Sequence, residues 1–384
     1  MKEVKLLIVD DDNEIIQEFT GSIEIYNRDN DNIKYKPYVA NNFDEAKEIL
    51  ETYIIDTAII DINLDSRGSG NFDGNSVIEE ILKYLRVPIF VVSGTPGNLD
   101  EQFQHNSMIE VYRRDATINN RLFDEIIPNV INSPTISYFL RKGFLEREVT
   151  EFYWEHLSKT IEYWKEVARE KPQEIDKILS RHTLSCLNEK LYVNSNIGKF
   201  DEYHPGEMYI IPPIKQHYHT GDIIKKDREL FIILNPACDI VNIVNMELHK
   251  PYKSKLRFYL LSKIIPISEI RKIQHFNNKD RANFIKDIKK NKGDSYHFLP
   301  IFTDIFSQCS DDGYVIDFQD LQIVQSGLDL AQSYNDIETY IKARDKFIVE
   351  YERVASISSP FLKDIIARFS RYYARQGQPD LMQH

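Results

Sequence analysis

Three aspartates and a serine stand where short apolar runs stop. Asp10 and Asp11 close the run KLLIVD and follow it, Asp61 falls near the end of TAIIDI (57–62), and Ser93 lies at the end of VPIFVVSG (87–94). Carboxylates gathered in one place repel one another, so a cluster of them calls for an offsetting cation. Mg²⁺ suits an acid pair plus one further Asp, because it takes oxygen ligands, keeps several waters and often shares a phosphate. Asp12 directly precedes a helical stretch and reads as its N-cap. A second set of reactive types lies further on, where NPACDI (235–240) follows TGDII (220–224) and puts Cys238 beside Asp239, with His217 and His219 close in sequence. A thiol nucleophile needs an activating base and an exposed thiolate; without them a Cys after an apolar strand is a small hydrophobe. His217-Tyr218-His219 is expected to alternate as strand residues, with both imidazoles on one face.

The first set can act together only if its runs end side by side. Over residues 1–132 short apolar runs alternate with amphipathic stretches. Strands are expected at 5–10, 35–40, 57–62, 87–94 and 108–113, and helices at 14–27, 43–53, 74–85, 98–106 and 119–131. Alternating strands and helices imply βαβ units and a parallel sheet covered on both faces. A doubly wound sheet of this kind places its site at the carboxyl ends of the strands. Ser-Pro and Gly mark a boundary in NSPTISYFLRKG (132–143). The stretch from 144 to about 190 reads as a helical hairpin, with Pro172 expected in the first turn of its second helix. The domains expected are therefore 1–132, a helical linker 133–192, and 193–384 as an α+β domain with a small β-sheet or barrel. Within it, strands are expected in MYIIPPI, TGDIIKK, ELFIILNPACDIV, KLRFYLLSKIIPI, YHFLPIF and GYVIDFQDLQIV, and helices at 279–292, 336–355 and 360–375. Phe361, Ile365, Ile366, Phe369 and Tyr373 form a helical stripe.

The succession LLIVDD, TAIIDIN and PIFVVSG, each at an expected strand end, resembles the receiver domain of response regulators over about residues 3–132. The resemblance implies a flavodoxin-like five-stranded fold. It implies that a histidine kinase passes a phosphoryl group from phosphohistidine to Asp61, giving an acyl phosphate. By position, Asp10 and Asp11 hold Mg²⁺ with Asp61, and the backbone carbonyl of Asn63 is a further ligand. Ser93 matches the hydroxyl that bonds the phosphoryl group and couples it to a conformational switch. The family's strand-five Lys is absent. The sequence there is EVYRRDA, so Arg113 or Arg114 supplies the cation, as a planar fork rather than a point charge. The loop INLDSRGSGNFDG after Asp61 is longer than usual for the family and lacks its Pro. Tyr112 lies near the place of the family's switch aromatic. The strings FIILNPACDI, VIDFQDL and SSPFLKDIIARFSRYYARQGQPD resemble a group of uncharacterised bacterial proteins to which no activity attaches.

Charge narrows the functions. Residues 1–132 hold 12 Lys+Arg against 25 Asp+Glu, while the remainder holds 36 against 35. A nearly neutral C-terminal part lacks the basic footprint of a DNA-binding output. No run approaches the ~20 apolar residues of a membrane span, the start does not read as a signal peptide, and the cytoplasm is expected. Three separated cysteines (Cys186, Cys238, Cys309) fit neither a disulfide framework nor a structural zinc site. The resemblance thus implies a phosphoacceptor of a two-component phosphorelay, and the C-terminal part is expected to act as an output that binds an unidentified protein effector. Homodimerisation is expected from family habit. A variant is a phosphate sink, the role of receiver proteins in two-component-like anti-phage defence systems. No enzyme activity is expected beyond the receiver's own phosphorylation and dephosphorylation. The alternative is a phosphorylation-gated enzyme built around Cys238 and Asp239 with the two histidines.

Overall fold

The computed structural model describes residues 2–64, 73–115, 117–140, 143–194, 199–200, 202–240, 256–302, 305–306, 312–328 and 336–374. The chain divides into two compact units, Met1–Phe200 and Asp201–His384. Residues 65–72 of the loop after Asp61, and Cys309, lie outside the described residues.

Unit 1 begins with β1 (Lys2–Val9), α1 (Asn13–Asp29), β2 (Ile33–Ala40), α2 (Phe43–Thr52), β3 (Thr57–Ile60), α3 (Asp73–Tyr84), β4 (Ile89–Ser93) and β5 (Ile109–Arg113). The five strands are all parallel, in the order β2-β1-β3-β4-β5. That is the flavodoxin-like winding, with its switch point between β1 and β3. Continuous apolar strands follow from burial on both faces. On one face Leu6, Ile8, Phe90 and Val92 pack with Phe19 and Ile23 of α1. On the other, Leu7, Val9, Ile60 and Val91 pack with Val77, Ile78 and Ile81 of α3. The helix expected at 98–106 is two short 3-10 turns, Pro96–Asn98 and Glu101–Phe103. Pro96 and Gly97 are poor material for a longer helix.

After β5 a helical run covers α4 (Ile118–Arg121), a π-turn (Leu122–Ile126) and α5 (Ile127–Asn132), and buries Leu122, Phe123 and Ile127. The chain continues through α6 (Pro134–Phe139), α7 (Phe144–Phe152), α8 (Ile161–Glu170) and α9 (Ile175–Tyr192), then a short antiparallel pair, β6 (Val193–Asn194) and β7 (Lys199–Phe200). α7 and α9 pack side by side, and Lys190 of α9 bridges Glu148 and Glu151 of α7 at 2.7 Å each. Pro172 lies in the turn before α9 rather than in its first helical turn.

Unit 2 carries β8 (Tyr209–Ile210), β9 (Asp222–Lys226), β10 (Glu229–Ile233), α10 (Ala237–Ile240), β11 (Phe258–Pro266), α11 (Asn278–Lys289), β12 (Tyr296–Leu299), β13 (Tyr314–Gln325), α12 (Ile337–Arg344), β14 (Glu352–Ile357) and α13 (Ser359–Ala374). Its seven strands form one antiparallel sheet in the order β12-β13-β11-β10-β9-β14-β8, larger than the small sheet expected. One sheet face packs Ile223, Ile232, Ile316 and Phe318 with Ile365 of α13, and the other packs Ile224, Ile233, Tyr259 and Leu261 with Ile348 and Tyr351. The helix expected over 336–355 stops at Arg344. The chain then turns and Glu352–Ile357 becomes a strand between β9 and β8. His217 and His219 lie in irregular chain before β9 instead of alternating along a strand.

Candidate functional site

β1 and β3 are neighbours and end together, with Val9 opposite Ile60. Asp10 and Asp61 therefore leave the sheet side by side, and Asp61 N–H donates to the Val9 carbonyl at 2.9 Å. One carboxylate oxygen each from Asp10, Asp11 and Asp61 lies within 4.8 Å of the others. Asp10 and Asp61 are buried, at 1% and 7% exposure, and Asp11 is half-buried. Burial lifts the Asp10 carboxyl to about 6, with the neighbouring Asp61 and Asp11 charges adding to it. Burial also raises Asp11. Asp12 caps α1, its side chain accepting from Glu14 N–H at 2.8 Å, and its own N–H donates to Asp10 at 3.0 Å.

Of the two arginines that the sequence left open, Arg114 stands at the acid cluster, and Arg113 points away from it into solvent. Side chains along β5 alternate, with Val111 and Arg113 exposed and Tyr112 packed against the core. Period two then puts residue 114 on the face of Tyr112, toward the strand ends. Arg114 continues the pairing past the strand, its N–H donating to the Ser93 carbonyl at 3.0 Å. Its guanidinium hydrogen-bonds Asp10, donates to the Val92 carbonyl at 3.2 Å, and stands 3.5 Å from Asp61.

Ser93 is fully buried at the end of β4, and its Oγ accepts from Thr95 N–H at 3.3 Å. Asn63 brackets it with its side-chain nitrogen 3.5 Å from Ser93 Oγ, donates to Thr95 Oγ1, and accepts from Asn98 at 2.9 Å. Asn75, buried at the start of α3, donates to the Asn98 carbonyl at 3.1 Å and accepts from Asp100 N–H at 3.1 Å. Gly74 completes the frame, since a Cβ there would stand 2.2 Å from the Asp61 carbonyl oxygen. Thr95, Asn98, Asn75 and Gly74 were not singled out from sequence. Only their loop position between two strand ends hints at them.

A metal fits. The donors are all oxygens, the set that Mg²⁺ prefers and soft metals do not. Asp61 Oδ1 is buried with no hydrogen-bond partner, a vacancy costly for a carboxylate. A bound cation would relieve both that vacancy and the repulsion that raises Asp10.

The second candidate set is not joined into one hydrogen-bonded cluster among the described residues. Cys238 is exposed on α10, its Sγ 3.7 Å from Asp239. No hydrogen bond among the described residues joins His217 or His219 to it.

The sheet order gives unit 1 a flavodoxin-like, doubly wound fold with the acid cluster at its strand ends. Solved structures similar to it include a CheY-like receiver domain protein of Methanospirillum hungatei JF-1 (19% identity, covering 33% of this chain and 94% of that one, TM-score 0.27). A CheY-like receiver domain of Methylobacillus flagellatus matches at 17% identity, over 33% of this chain and 98% of that one, TM-score 0.26. The PhyR response regulator receiver domain of Erythrobacter litoralis matches at 18% identity, over 35% of this chain and 96% of that one, TM-score 0.27. No family model and no curated protein matches the chain. Among the described residues no helix is long and apolar enough to cross a membrane.

Proposed function

We propose that the chain is a response-regulator-like phosphoacceptor in which a histidine kinase phosphorylates Asp61 and unit 2 carries the output by binding a protein partner. The observation that carries this reading is Asp61 itself: a buried carboxylate with one oxygen unbonded, framed by two further acids, an arginine and a buried hydroxyl. In the transfer, an Asp61 oxygen attacks the phosphorus of phosphohistidine. The P–N bond breaks as the O–P bond forms, and the histidine leaves as neutral imidazole when its other nitrogen carries a proton. Water later attacks the acyl phosphate and releases inorganic phosphate. Arg114 sits where the incoming negative charge accumulates, and Ser93 supplies a hydroxyl for a phosphoryl oxygen. Mg²⁺ held by Asp10, Asp11, Asp61 and the Asn63 carbonyl would supply charge neutralisation at the phosphoryl group.

The phosphate-sink variant, with its anti-phage setting, rests on the same chemistry. Incubation with acetyl phosphate and Mg²⁺, followed by intact mass, tests the acceptor. The wild type gains one phosphoryl group and Asp61→Asn gains none. An unmodified wild type, or an equal adduct on Asp61→Asn, overturns the reading.

A further inference from the structure

The two strings of unit 2 that the receiver chemistry leaves unused, TGDII and NPACDI, meet at one cavity of about 440 Å³. Thr220 lines it from the first string, and Pro236 and Ala237 from the second. The meeting is built. Thr220 Oγ1 donates to the Asn235 carbonyl at 2.6 Å, and the Asn235 side chain bonds the Phe258 carbonyl and Leu260 N–H at 2.8 and 2.7 Å. Gly221 has φ +85°, and a Cβ on it would stand 2.6 Å from Leu362 Cδ1. Only glycine lets this loop seat α13 so closely. Asp222 is locked behind the wall by Ser356 at 2.6 Å and Arg353 at 2.9 Å.

α13 forms the facing wall with Ser359, Leu362, Lys363, Ile366 and Ala367. Their spacing puts them on one stripe of the helix. Leu362 and Ile366 are half-buried apolar surface at the cavity. Among the described residues the charged ones lining it are Lys215 and Lys363, and no acid is among them. The first turn of this long helix, at Ser359, adds partial positive charge. His219, pushed down to about 4 by burial and then by Lys215, is neutral at pH 7 and serves as a hydrogen-bond partner without charge.

We propose that this cavity binds a small amphiphilic anion. An acidic head group, carboxylate or phosphate, pairs with Lys215 and Lys363, and an apolar body lies against Pro236, Ala237, Leu362 and Ile366. Walls held by buried hydrogen bonds make the site preformed, which spares the ligand the cost of ordering it. The site is independent of the Asp61 chemistry and gives unit 2 a ligand of its own.

Isothermal titration of the full chain tests it, with octanoate, octyl phosphate, octanol, hexanoate and inorganic phosphate as probes. Octanoate or octyl phosphate binds with one equivalent, and the tighter of the two identifies the head group. Octanol binds at least about ten-fold more weakly for want of a charge. Hexanoate loses about ten-fold against octanoate, the worth of two buried methylenes. The double variant Lys215→Gln, Lys363→Gln weakens the anion at least about ten-fold. Both lysines are exposed, so its urea midpoint stays that of the wild type. Ala367→Phe, also at an exposed position, blocks the cavity. No saturable binding of either anion, octanol binding as tightly, inorganic phosphate binding as tightly as octyl phosphate, or a double variant with wild-type affinity each overturns the proposal.

Discussion

In unit 2 the deeply buried carboxylates have both oxygens bonded. Asp345 accepts from Tyr259 and from Arg344 at 2.7 and 2.9 Å, and Asp222 accepts from Ser356, Arg353 and His219 N–H. In unit 1 Asp61 keeps one oxygen unbonded, and Asp10 is held near two like charges. The difference separates two uses of buried charge. A saturated pair fixes architecture: Arg344 also donates to the Ile240 carbonyl at 3.1 Å and so ties α12 to α10. An unsaturated cluster stores unfavourable energy that a ligand releases.

Removing one partner of a saturated pair gives the largest effect. Arg344→Met leaves Asp345 buried without its counter-ion and lowers the stability of unit 2 by about 3–5 kcal/mol. Peptide-resolved hydrogen exchange in urea measures it, and a loss below ~1 kcal/mol breaks the contrast.

Next comes pH, which moves the two units in opposite directions. Burial, with the Arg368 charge, pushes His297 down to about 3. It is neutral in the fold, so its contribution is full above the unfolded value near 6.5 and is lost as pH falls toward 3. His219, down to about 4, adds in the same sense. Asp10, raised from 3.8 to about 6, works the other way. Without Mg²⁺ its contribution is full below pH 3.8 and lost as pH rises through 6. Both tryptophans, Trp154 and Trp164, belong to unit 1, so their fluorescence follows that unit alone. Between pH 6.5 and 4, unit 2 weakens and metal-free unit 1 strengthens in this respect. Asp10→Asn removes the second trend and His297→Gln reduces the first.

A smaller effect distinguishes the acceptor from a structural acid. Asp61→Asn relieves repulsion and raises metal-free unit 1 stability by about 1 kcal/mol, and Mg²⁺ ceases to stabilise the variant. A destabilised Asp61→Asn places Asp61 with the architectural carboxylates. The smallest effect is that of Arg113→Ala, which stays within about 0.5 kcal/mol and phosphorylates as the wild type does. Arg114→Ala lowers the yield of phosphorylated protein under the same acetyl phosphate treatment.

Unit 1 was largely legible from sequence because its strands are continuous apolar runs and its reactive residues stop them. Asp10, Asp61 and Ser93 follow from that rule alone. Arg113 and Arg114 were indistinguishable until the alternation of β5 showed which faces inward. The strand at Glu352–Ile357 was hidden because its partners, β8 and β9, lie more than a hundred residues away, and its own residues carry no strong period. The same reason hid the cavity of unit 2: α13 and the TGD loop meet through long-range packing that no local pattern records.

The asparagine chain in unit 1 has one more consequence. Asn63 reaches Thr95 and Asn98, and Asn98 is tied in turn to Asn75 at the start of α3. The loops after β3 and β4 therefore share one set of bonds with the first turn of a helix. Thermodynamic reciprocity follows. Any ligand that rearranges Asn63 near Ser93 must change the free energy of anchoring α3. Loosening that anchor from the far side, as Asn75→Ala does, must change the affinity for the ligand by the same amount.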